Sequence, residues 1–169
     1  MKGIFMISLF IEDIKLCMNG LLKETVFDSF LLHSLELDVL HHFAVDGAIN
    51  QNYLNEVEKE ERNQMDYISW KEIRPLITEI IKSHRTPLSM QIHFILSPAS
   101  VEKVLKNVPE HLSEVIQSFS FRLQFENNQL RLITATNYKG FLPDKSAEHN
   151  FDNSMKQFLS HYGYVFIEE

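Results

Sequence analysis

Residues 118–135 read SFSFRLQFENNQLRLITA, and this segment sets the class of architecture. Phe119, Phe121, Leu123 and Phe125 alternate with polar residues, the period-two pattern of a strand with one buried face. Glu126-Asn127-Asn128-Gln129 carries turn formers, and Leu130 to Ala135 alternates again. The pattern predicts a β-hairpin whose phenylalanine stripe faces a core rather than a stacked ligand.

Working outward, the same reading yields an ordered set of elements. Leu88 to Leu96 alternates Met90, Ile92, Phe94 and Leu96 as a strand. Ser97-Pro98 opens a short helix over Ala99 to Lys106, with proline at its favoured first position. Phe151, Met155, Phe158, Leu159 and Tyr162 mark a last amphipathic helix, ended by Gly163 and followed by a strand from Tyr164 to Ile167.

Toward the N-terminus, Gly3 to Phe10 reads as a strand and Ile11 to Leu22 as a helix with Ile14, Cys17, Met18, Leu21 and Leu22 on one side. Ser29 to Leu37 and Leu40 to Val45 form a second strand pair, the latter running into the Asp46-Gly47 turn signal. Asn52 to Asp66 is strongly polar and is expected to be solvated. The clearest helix starts at Ser69, where Ser69 and Glu72 form a capping box. Trp70, Ile73, Leu76, Ile77, Ile80 and Ile81 line its inner side. Pro75 predicts a kink or a later start near Arg74.

These elements define an α+β fold, largely antiparallel, with helices on one face of the sheet. The order strand, helix, strand, strand, helix occurs twice, over about residues 3–83 and 88–162. The expectation is a single domain, 1–169, of two similar halves with a polar insertion at about 52–66. Ile14, Cys17 and Met18 correspond to Val101, Val104 and Leu105, and Ser29-Phe30-Leu31-Leu32 to Ser118-Phe119-Ser120-Phe121. A strand–helix–hairpin unit has an apolar sheet face it cannot bury alone, so two copies would close over one core.

Composition narrows the function classes. The chain has 169 residues, 44% hydrophobic and 23% charged, with a formal net charge of −7. Acidity disfavours diffuse binding to nucleic acid or anionic lipid. No stretch approaches the ~20 apolar residues of a membrane span. Lys2 and the apolar run Ile4 to Ile11 look like a signal peptide, but Glu12 and Asp13 end the run without a cleavage site. The one cysteine, Cys17, lies on the apolar side of its helix, so no intrachain disulfide forms and a cytoplasmic setting is expected.

Motifs for chemistry are sparse. Five scattered glycines make neither a phosphate loop nor a dinucleotide fingerprint. There is no G-x-S-x-G elbow and no H-E-x-x-H pair. Eight histidines are dispersed, and adjacent His41 and His42 point to opposite faces of a strand, so neither a metal site nor a cofactor is expected. Lys71, Arg74, Lys82, His84 and Arg85 form the densest basic neighbourhood. Lys71, Arg74, His84 and Arg85 are the candidate ligand or anion site; helix solvation and complementation of the helix dipole are the competing account.

Several strings resemble an uncharacterised bacterial family, a domain of unknown function found mostly in anaerobic gut bacteria. They are Phe27-Asp28-Ser29-Phe30-Leu31-Leu32, Val45-Asp46-Gly47, Ser69-Trp70-Lys71-Glu72-Ile73-Arg74-Pro75, Arg85-Thr86-Pro87-Leu88 and Leu142-Pro143-Asp144-Lys145-Ser146. This resemblance spans most of the chain and implies no activity. The repeated strand–helix–hairpin order is also similar to the repeat of DNA sliding clamps, with Gln91 to Lys106 and Ser118 to Thr136 as one unit. In clamps the repeat helices are basic and face DNA. Here Lys15 is offset by Glu12 and Asp13, and Lys103 and Lys106 by Glu102, so phosphate tracking would be weak.

Two functions remain in view. One is a non-catalytic binding or assembly module, with a protein partner or a second copy of the chain; the clamp resemblance points to a nucleic-acid-processing partner. The other is an enzyme or small-ligand-binding protein whose site gathers distant residues, with Arg74, His84, Arg85 and Asp46 as its polar groups. A deep pocket holding a perturbed carboxylate or histidine favours the second; a flat surface with an exposed apolar patch favours the first.

Overall fold

A computed structural model describes residues 4–63, 65–140 and 144–169. The described strands are β1 (Ile4–Phe5), β2 (Ser8–Ile11), β3 (Leu31–Asp38), β4 (His42–Asp46), β5 (Ser89–Ile95), β6 (Ile116–Glu126), β7 (Gln129–Tyr138) and β8 (Phe166–Glu168). They form one sheet in the order β4-β3-β5-β6-β7-β2-β8, and β1 continues the line of β2 along β7. Every pairing is antiparallel.

The helices are α1 (Ile14–Leu22), α2 (Glu56–Glu61), α3 (Trp70–Lys82), α4 (Pro98–Leu105), α5 (Glu110–Ser113) and α6 (Ser146–His161). Strand alternation sends Leu9, Ile11, Leu35, Leu37, Met90, Ile92, Phe94, Phe119, Phe121, Leu123, Phe125, Leu130 and Leu132 to one face. There they join Cys17, Leu21, Trp70, Ile77, Val104, Leu112, Phe151, Met155 and Leu159 in one core. Fully burying each such side chain stabilises by about 1.5–3 kcal/mol, which fixes which face the helices cover. Trp70 is fully buried and its indole N–H donates to the Leu21 carbonyl at 2.8 Å, tying α3 to α1.

The opposite face carries Glu36, Ser34, Gln91, His93, Gln124, Arg122, Arg131 and Ile133, all half-buried or exposed. No described helix lays an apolar stripe on it. Both sheet edges are short strands, β4 and β8.

Local chemistry explains the boundaries. Asn127 and Asn128 take positive φ of 52° and 56°, the paired left-handed geometry of a tight hairpin turn. Ser97 caps α4 ahead of Pro98, and Ser69 with Glu72 closes the capping box of α3. The α3 helix runs from Trp70 straight through Pro75, correcting the expected later start. Pro75 removes only the bond to the Lys71 carbonyl, and the buried Trp70 and Ile77 on either side hold the helix in register.

The turn of the β3–β4 hairpin lies between Asp38 and His42, and β4 then runs into Asp46-Gly47, where the Gly47 amide donates to the His33 carbonyl at 2.9 Å and keeps the chain alongside β3 in place of the expected turn. Gly47 instead passes against β3, where a Cβ would meet the Leu32 carbonyl oxygen at 1.8 Å. The strand expected from Gly3 is described from Ile4, and Leu142 and Pro143 lie outside the described residues.

The hairpins β3–β4 and β6–β7 lie in one sheet, joined through β5. The strands that precede them are placed differently. β5 sits between β3 and β6, whereas β2 pairs with β7 and β8.

Candidate functional site

The uncovered face is interrupted at one place. In β5, alternation points Gln91, His93 and Ile95 away from the core. In β3 the register shifts between Leu32, opposite Phe94, and Ser34, opposite His93, so His33 is an extra residue. A bulge of this kind re-aims a side chain. His33 turns onto the open face, with its ring 4.6 Å from that of His93 and 5.4 Å from that of Tyr67. A second shift, in β6 between Ile116 and Ser118, leaves Gln117 as the extra residue.

Tyr67 is held there by the returning limb of the polar excursion. The Leu32 amide donates to the Ile68 carbonyl at 2.8 Å, and the Ile68 amide donates to the Gly47 carbonyl at 3.0 Å. The Ile49 amide donates to the Asp66 carbonyl at 2.8 Å. Residues 65–69 thus cross beside β3 as a short edge, and the close approach of Gly47 is what lets them do so.

Together these residues enclose a half-open cleft of about 790 Å³. His33, His93 and Tyr67 form an aromatic side; Leu31, Ile95 and Pro98 supply apolar surface; Asn63, Asp66, Gln117, Ser118, Ser120 and Asn137 supply polar groups. The Asn137 amide donates to the Ser118 hydroxyl at 3.0 Å, which fixes both at the far end. The volume falls in the ordinary range for small-molecule sites.

His93 is held down to about 4, first by burial and then by the neighbouring His33 and the Arg122 guanidinium. Its imidazole is therefore neutral at physiological pH, able to donate from one nitrogen and accept at the other.

The residues singled out from sequence lie elsewhere. The Arg74 guanidinium forms a two-pronged pair with Asp28, at 2.8 and 3.1 Å, with the side chains only 19% and 12% exposed. Lys71 is exposed on the first turn of the same helix. His84 and Arg85 follow its C-terminus, about 20 Å further along the axis. There they line a half-open recess of about 1190 Å³ with Val39, Leu40, Ser83, Thr86 and Leu88. His84 donates from Nδ1 to the Ile80 carbonyl at 2.7 Å, so this side chain caps the helix end. Asp46 accepts from the Ala48 amide at 2.9 Å. None of these five groups lines the cleft.

Two other groups of interest are structural. Burial first, then Asp13, pushes the Cys17 thiol up to about 12, which leaves it unreactive. Between α6 and β7, Tyr138 donates to Glu148 at 3.1 Å and Thr134 donates to Asp152 at 2.7 Å. Burial raises both carboxyls, and Glu148 is closed off from solvent. Among the described residues, no group of three or more His, Cys, Asp or Glu side chains is placed to hold a metal ion.

Sequence patterns passed over His33, His93, Tyr67 and Gln117 because no spacing links them. One trace was available. Leu31-Leu32-His33-Ser34-Leu35 places two apolar and then two polar residues where strict alternation allows neither, which is the footprint of a bulge.

Fold and cleft define an α+β domain with a single antiparallel sheet, helices on one face and a half-open cleft on the other. A family of unknown function, DUF5721, has a model that matches residues 20–167, and the chain belongs to that family. No activity comes with the membership. No curated protein and no solved structure matches the chain.

Proposed function

We propose that this protein is a non-catalytic binding module that takes a small molecule in the cleft between Tyr67, His33, His93 and Asn137. The observation that carries the proposal is that both register shifts of the sheet open onto this one cleft. Extra residues cost ladder hydrogen bonds, and their coincidence at one place supports a site rather than packing error. The neutral His93 adds a polar group of the kind found at functional sites. The proposal extends to a cytosolic setting, on the strength of a single cysteine.

An enzyme is the second reading, in which the polar groups of the cleft act on the bound molecule; His93, held down to about 4, is too weak a base at neutral pH to serve as the proton acceptor. Assembly with a protein partner or a second copy would instead cover the open face.

The test is a two-dimensional amide NMR titration with nucleosides, amino acids and monosaccharides at millimolar concentration. Shifts confined to residues 31–34, 63–67, 93–98, 117–120 and 137 are expected, with the added compound recovered unchanged. Shifts at the Arg85 recess, or none in the cleft, remove the proposal. Conversion of the compound replaces it with the enzymatic reading.

A further inference from the structure

Among the described residues, Arg122 has no carboxylate beside it in the sheet of this acidic chain. The register sets it on the open face of β6, opposite His93 on β5 and Ile133 on β7. Its same-face neighbours along β6 are Ser120 and Gln124, and the diagonal ones are Gln91, Ile95, Arg131 and Ala135. No carboxylate is among them. The contrast is Arg131, whose guanidinium is held by Glu169 at 2.9 and 3.2 Å and lies over the Phe10 ring at 5.5 Å.

Arg122 is half-buried, so its lack of a counter-charge is not fully screened by water. It is not itself one of the residues that line the cleft, but it is a same-face neighbour of two that do, Ser120 and His93. The lining itself holds no lysine or arginine, and its one carboxylate, Asp66, belongs to the returning limb.

Resting on the cleft reading above, we propose that Arg122 anchors an oxyanion of the ligand, a carboxylate or a phosphate monoester, while the body of the ligand lies against His33 and Tyr67. A planar guanidinium fork matches either group with two parallel hydrogen bonds. His93 donates a further bond from the adjacent strand. The aromatic side and the amides of Asn63, Gln117 and Asn137 then suit a small planar body with polar edges.

The full chain is titrated with benzoate, phenyl phosphate and benzamide, with cleft amide resonances as readout. Benzoate or phenyl phosphate is expected to bind about tenfold more tightly than neutral benzamide. Which of the two binds more tightly assigns the oxyanion. R122Q is expected to bring both anions down to the level of benzamide with an unchanged melting midpoint, and R122K to restore part of the preference. Should R122Q not fold, the loss of two-pronged binding in R122K carries the comparison.

Equal affinity for benzamide and for both anions at the cleft overturns this inference and leaves the cleft reading standing, as does an anion preference that survives in R122Q. Shifts outside the cleft for all three compounds, or none at all, overturn both.

Discussion

Arg74 illustrates how a cation that stands out in a sequence is used up by its own fold. Its two bonds to Asp28 anchor α3 to the loop ahead of β3. Truncating one partner of such a pair strands the other charge in a poorly solvated place. Arg74→Ala is expected to lower unfolding stability by about 2 kcal/mol, less than for a fully buried pair because both groups retain some solvent contact. Urea denaturation of the single and double variants with Asp28→Ala measures the coupling. An Arg74→Ala protein as stable as wild type would mean the guanidinium is not structurally committed. Of the sequence candidates, only Lys71 and Arg85 keep exposed, unclaimed charges, and the helix separates them. Of the side chains that do converge, His93 and Tyr67 carried no signal of their own because each is unremarkable where it stands in the chain, and His33 carried only the broken alternation around it.

At the scale of elements, the limb over residues 65–69 depends on the missing side chain of Gly47. Gly47→Ala would place a Cβ at 1.8 Å from the Leu32 carbonyl oxygen and 2.6 Å from its carbon. Both atoms are backbone, so the strands must separate. A loss of about 2–3 kcal/mol is expected, together with displaced amide signals for Tyr67 and His33. Gly140→Ala, whose Cβ meets nothing within 4 Å, is the control and should change stability by under about 0.5 kcal/mol. Equal behaviour of the two variants would show that the limb does not need this close approach. Elements themselves were largely legible: α3, α4, α6 and the β6–β7 hairpin follow from capping residues, turn residues and apolar period, all local properties. Asp46-Gly47 was misread because a turn and a close backbone approach ask for the same residue.

For the whole molecule, the balance of buried titrating groups sets how stability responds to pH. His93 sits at about 4 when folded against an ordinary 6.5, so the unfolded chain binds more protons between those values. Its contribution to stability is therefore complete above pH 6.5 and is lost as pH falls toward 4. Glu148 and Asp152 act in the opposite sense. Burial raises both, so the folded state keeps their protons longer and stability falls as pH climbs past the ordinary carboxylate range. Removing the histidine titration isolates one limb. The stability of wild type relative to His93→Gln should grow by about 2 kcal/mol between pH 4.5 and pH 7 and then level off. A pH-independent difference in urea melts would show that His93 titrates normally in the fold.

Sequence alone determined the α+β class, the longer helices and most of the strands, the inner phenylalanine stripe and the burial of Trp70 and Cys17. These follow from period, capping and turn chemistry within a few residues of one another. Only the tertiary structure decided the order of strands, the face left bare and the meeting of His33, His93, Tyr67 and Arg122. Those contacts join residues as far apart as Leu9 and Glu168 through registers set by core packing and two extra residues, and no local pattern encodes which strand lies beside which.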